Sequence, residues 1–143
     1  MTILHNDTAY ALLFWMLVGH ALADYPLQGD FLSKAKNHRS PIPTVPWQIA
    51  LFNHALIHAG AVALLTGSLA FGLLELLLHV GIDYLKCDGV TNFDADQALH
   101  VSCKVFYCVA IFYGLLGVMS LLCVVAALAV AYLAVCALSR KLG

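Results

Sequence analysis

Apolar positions in this chain come in long runs that neither alternate at strand spacing nor leave a wide polar face. The runs cover about residues 9–24, 48–65, 69–86, 95–114 and 117–139. A run of about 20 apolar residues is the length a helix needs to cross a bilayer. The pattern therefore predicts an all-α, polytopic membrane helix bundle of about five transmembrane helices in one domain, residues 1–143. Asp24 and Tyr25 end the first run, and Pro26 reinforces the stop because the residue before proline avoids helical backbone. Ala21-Leu22-Ala23 resembles a leader-cleavage site, but residues 1–10 carry no Lys or Arg, so the first run is read as a retained helix.

Residues 25–47 form the one long polar stretch, with Lys34, Lys36, Arg39 and all four prolines. It reads as a loop with a short interfacial helix near residues 29–36. Thr66-Gly67-Ser68 is a tight turn, and 86–94 is a polar link. Residues 105–139 contain no Asp, Glu, Lys, Arg, His, Asn or Gln. As one helix at about 1.5 Å per residue they would exceed a hydrocarbon core of about 30 Å, so they are divided near Gly114 and Gly117. Apart from Lys104, Lys and Arg lie in the first loop, in the 86–94 link and at the C-terminus. The positive-inside rule then places the N-terminus outside and the C-terminus in the cytoplasm.

Composition agrees with a bilayer environment. Hydrophobic residues are 62% and charged residues 10%, against roughly 45–50% and 25% in soluble domains, and mean hydropathy is +0.88. Net charge is −1, which gives no sign of a nucleic-acid partner. The five cysteines form no C-x-x-C and are read as buried thiols. The seven histidines equal all Lys and Arg together, which is unexpected in so apolar a chain.

Five of those histidines fall into pairs at one spacing. His20 and Asp24, His54 and His58, His79 and Asp83, and Asp96 and His100 are each four residues apart. Residues at i and i+4 share a helix face, so each of four helices offers two metal-type ligands in one direction. With the topology above, all four pairs lie toward the cytoplasmic side. An acid at mid-membrane costs about 2.5–3.5 kcal/mol on the insertion scale, a cost offset when acids and histidines satisfy one another or a cation. The eight are the expected metal ligands. Imidazole and carboxylate together suit one or two ions of Zn, Fe or Mn. Glu75 stands four residues before His79 and is the candidate catalytic base, or a carboxylate that supports His79. Gln28, Lys34, Arg39 and Lys86 are candidate substrate-binding residues for an anionic head group, while Lys36 reads as a loop charge near lipid. Lys86 and Lys104 also suit interfacial snorkelling. Protease, P-loop and dinucleotide motifs are absent.

The string from His20 to Gln28, the His54–His58 pair, the segment from His79 to Lys86 and the segment from Asp96 to His100 resemble a bacterial and phage family of small membrane proteins. The family is known as domain of unknown function 3307, and the resemblance implies no activity. The residues themselves suggest a metal-dependent hydrolase in a bacterial inner membrane, acting on a lipid-linked phosphate or ester. The alternatives are a di-iron lipid oxidase, a metal or proton transporter, and a structural or partner-binding membrane protein. The fifth run, with Ala127 and Ala131 at small-xxx-small spacing, would support a homo-oligomer.

Overall fold

The computed structural model describes residues 8–112. Among them the chain is all-α: α1 (Ala9–Asp24), α2 (Gly29–Ala35), α3 (Trp47–Thr66), α4 (Leu69–Cys87) and α5 (Phe93–Phe112). Four of the five expected segments are long helices, and α2 is the short helix expected in the first loop. The fifth segment, 117–139, lies outside the described residues, and so do Ala127 and Ala131.

The helix ends follow local chemistry. Thr8 caps α1 by accepting from the Ala11 amide. The Asn92 side chain accepts from the Ala95 amide, and Asp94 and Asp96 add negative charge to the first turn of α5. Gly67, at φ 67°, stops α3 in the left-handed conformation, and α4 begins two residues later. So short a connection makes α3 and α4 antiparallel neighbours. They approach closely at Gly72, where a Cβ would sit 2.7 Å from the Ala63 Cβ and 2.9 Å from the Ala59 carbonyl oxygen.

Helix α1 packs on α3 and α5, and α4 packs on α3 and α5, so the four long helices close a ring. The ring has two ends of different chemistry. Leu12, Met16, Val62, Phe71, Leu74 and Tyr107 belong to the apolar core at one end. The four polar pairs all lie toward the other end, as their positions along alternating helices require. Helix α2 and its flanking loop run past that polar end and touch α3.

Among the described residues one helix, α3, is long and apolar enough to cross a membrane. Helix α1 is apolar but has 16 residues. Helices α4 and α5 have the length, 19 and 20 residues, but carry Glu75, His79, Asp83 and Lys86, and Asp94, Asp96, His100 and Lys104. The charged and polar residues of α4 and α5, most of them part of the site, are what set these two helices apart from α3.

Candidate metal centre

The four pairs converge. His20, His54, His58, His79, Asp83, Asp96 and His100 are all buried, and Asp24 is nearly so. Each pair faces inward because its helix turns the same face to the ring axis: α4 presents Glu75, His79 and Asp83, and α5 presents Asp96, His100 and Lys104, every fourth residue.

At the centre, Asp24, His54, His58 and His79 each offer one ligand atom within 4.8 Å of the others. Asp24 Oδ1 is 3.1 Å from His58 Nε2 and 3.3 Å from His54 Nε2. His54 Nε2 is 3.2 Å from His79 Nε2. In a tetrahedral zinc site with bonds of about 2.0–2.1 Å, ligand atoms stand roughly 3.3–3.4 Å apart. The three separations are close to that edge length. Asp83, Asp96 and His100 form another such group, and Glu75, His79 and His100 a third.

The surrounding hydrogen bonds orient these ligands. His79 Nδ1 donates to Glu75 Oε1 at 3.1 Å, which leaves the Nε2 lone pair facing His54. Gln97 Nε2 donates to Asp24 Oδ2 at 3.1 Å, so its Oε1 is the acceptor for His20 Nε2 at 3.4 Å. His20 Nδ1 lies 3.4 Å from His58 Nδ1 and can accept from it, which turns a His58 lone pair toward Asp24. His20 therefore stands behind His58, outside the three ligand groups. The His58 and His79 rings stack at a centroid distance of 3.8 Å, fixing both planes.

Three lysines balance the acids. Lys36 Nζ reaches Asp83 Oδ2 at 2.7 Å, Lys86 Nζ reaches Asp96 Oδ2 at 2.7 Å, and Lys104 Nζ reaches Glu75 Oε1 at 2.5 Å. Glu75 Oε2 accepts from the Tyr107 hydroxyl at 2.9 Å. Glu75 thus holds His79, Lys104 and Tyr107 together. Those bonds make it an orienting carboxylate more than a free base. Asp24 is the carboxylate of the cluster with no Lys or Arg partner among the described residues.

Of the expected substrate-binding residues, two touch the cluster. Gln28 Nε2 donates to the Asp24 carbonyl at 3.2 Å, and Lys86 holds Asp96. Lys34 pairs with Asp30 on the exposed side of α2, and Arg39 pairs with Asp88, so neither reaches the ligands. Lys36 departs from its reading as a loop charge near lipid: it is buried against Asp83, because the chain after α2 folds back over α4. The same segment is anchored by His38, whose ring stacks on Tyr84 at 4.2 Å and bonds Asp88 at 2.8 Å. The His38 hydrogen bond, helped by Arg39, holds the Asp88 carboxyl below the usual carboxylate range. Lys104 likewise does not snorkel but is buried on Glu75.

No curated protein and no solved structure matches the chain. The family model described as "Protein of unknown function (DUF3307)" matches residues 12–130, a stretch that includes every residue of the cluster. With a match over most of its length, the chain belongs to that family.

Proposed function

We propose that the chain is an integral membrane protein that binds a divalent transition metal (Zn, Fe or Mn) through Asp24, His54, His58 and His79, and that it hydrolyses a lipid-linked phosphate or ester at the cytoplasmic face. The observation that carries the metal is the convergence of one carboxylate and three imidazole nitrogens from three helices at tetrahedral-edge separations. Two of those imidazoles are held by neighbours in the tautomer that points a lone pair inward. A cation satisfies all four atoms at once, whereas a single His54 N–H satisfies one.

The membrane reading rests on an inverted distribution of polarity. Phe14, Leu22, Phe52, Leu64, Leu73 and Phe106 are exposed on the outside of the ring, while Glu75, Asp83, Asp96 and Lys104 are buried inside it. Water-soluble domains this small arrange these classes the other way, and charged residues within a bilayer face the interior of a bundle. Lys34 and Arg39, each with a side chain 66% exposed, lie in the loop past the polar end of the ring, where they suit an anionic head group.

In this reading the metal supplies an activated water and polarises the substrate oxygen. The chain's own work is positional. Glu75 and the Gln97–His20 relay hold ligand rings, Asp24 supplies the negative ligand, and the loop charges orient the head group. The test is hydrolysis of phosphatidic acid and of a p-nitrophenyl acyl ester in mixed micelles by purified full-length protein. Turnover of either, abolished by chelator and by His58→Ala and restored to the wild type by Zn, Fe or Mn, supports the proposal. Turnover of neither in metal-loaded protein rejects the hydrolase.

A second reading has its own observation. Three of the four carboxylates already own a lysine, which would let the cluster hold four helices together as a polar staple with no metal. Metal-free protein of full stability would establish it.

A further inference from the structure

The geometry points to a second cation position beside the first, formed by Asp83, Asp96 and His100, with Asp83 as a carboxylate bridging two ions. The inference rests on the metal reading above and extends it to a dinuclear centre.

Two unpartnered atoms carry it. Asp96 Oδ1 and His100 Nε2 are buried without any hydrogen-bond partner among the described residues, and their side chains are each 1% exposed. They face each other at 3.6 Å. Asp83 Oδ1 faces the same nitrogen at 3.6 Å. Buried polar atoms in native proteins are nearly always paired, so these two orphaned atoms, with Asp83 Oδ1 beside them, describe a place for a missing positive group. The other Asp96 oxygen is engaged by Lys86 at 2.7 Å and by Gln97 at 3.2 Å, which fixes the carboxylate with Oδ1 directed inward.

Asp83 connects the two positions. Its Oδ2, which also accepts from Lys36 at 2.7 Å, is 3.4 Å from His54 Nε2 and 3.7 Å from His79 Nε2, both ligands of the first site, while its Oδ1 faces His100. One carboxylate with an oxygen toward each ligand group is the arrangement that lets two metals share a bridge, as in two-metal hydrolytic centres about 3.5–4 Å across. The ligand sets also differ in kind. Besides the shared Asp83, the first has three imidazoles and one carboxylate, and the second one carboxylate and one imidazole. The oxygen-rich second position favours a harder ion such as Mn2+ or Mg2+, and its smaller ligand set makes it the weaker of the two.

Stoichiometry tests this directly. Full-length protein purified in detergent is stripped with chelator and dialysed against excess Mn2+, and bound manganese per chain is measured with the electron paramagnetic resonance spectrum. The expected result is two equivalents and an exchange-coupled signal for the wild type, and one equivalent with an uncoupled signal for Asp96→Asn. His100→Gln makes the same removal should Asp96→Asn lose its helical circular dichroism. Lys86→Met, which releases the second Asp96 oxygen, is expected to tighten the second equivalent several-fold; weaker binding there counts against the proposal. One equivalent in the wild type that survives both Asp96→Asn and His100→Gln overturns the second position and leaves the first standing. No manganese in the wild type, and no zinc or iron when these are offered instead, overturns both.

Discussion

His79 Nε2 lies 3.2 Å from His54 Nε2, across the boundary between α4 and α3. Two imidazole nitrogens at that distance need either one shared proton or one shared cation between them. The opposite nitrogen of His79 is already committed as a donor to Glu75. Removing the Glu75 charge loosens this arrangement without touching a ligand of the first site. Glu75→Gln is expected to weaken metal binding about 10–100-fold, the usual effect of losing a carboxylate that orients a ligating histidine. Competition against a chromophoric chelator measures it, and unchanged affinity would remove Glu75 from the centre.

Lys36 and Asp83 form a buried pair, with side chains 9% and 2% exposed. Breaking a buried pair by deleting one partner costs about 3–5 kcal/mol because the remaining charge has no compensation. Lys36→Met is therefore expected to lower the melting temperature of metal-free protein markedly. Added metal should restore most of the loss, since a cation at the centre neutralises the same carboxylate. Thermal melts with and without Zn2+ check both halves.

The segment after α2 is tied to the end of α4 by Asp88, which accepts from His38 and Arg39. Because the folded state holds the Asp88 carboxyl below its ordinary range, this anchor is at full strength above about pH 4, the ordinary value for Asp. It is lost as pH falls through the lowered value. Limited proteolysis of the 36–46 segment should accelerate on that acid side in the wild type. In Asp88→Asn it should be fast throughout, with no step from this group.

At Gly72 α3 and α4 approach closely, and the obstacles to a side chain there are the Ala63 Cβ and the backbone oxygen of Ala59, neither of which can swing aside. Gly72→Ala is expected to destabilise the bundle by about 1–3 kcal/mol through overpacking. By pushing α4 from α3 it should also separate His79 from His54 and lower metal affinity. A melting curve and a metal titration on the same variant check the coupling.

Much of this arrangement was readable before folding. The i, i+4 spacing of the four pairs, together with the alternating direction of four apolar runs, is enough to bring the pairs to one end of a bundle. The stripes Glu75–His79–Asp83 and Asp96–His100–Lys104 follow from the same period, although reading Lys104 as a snorkelling residue overlooks its place on the second stripe. Lys36 and His38 were not legible, because their partners Asp83 and Asp88 lie 47 and 50 residues away and the contact depends on how the loop folds back. Gln97 was hidden for another reason. It is adjacent to Asp96, off the i, i+4 stripe, and reaches Asp24 only because α1 packs beside α5. His20 shares the ligand spacing, yet the crossing of α1 and α3 sets it behind His58.

Elemental analysis of protein purified from membranes without added metal decides whether this cluster holds a metal. At least one Zn, Fe or Mn per chain is expected in the wild type. None is expected in the variant combining His54→Ala and His58→Ala, with helical content preserved. Metal-free wild-type protein that also takes up none on titration would contradict a metal centre here, as would metal that remains after that pair is removed.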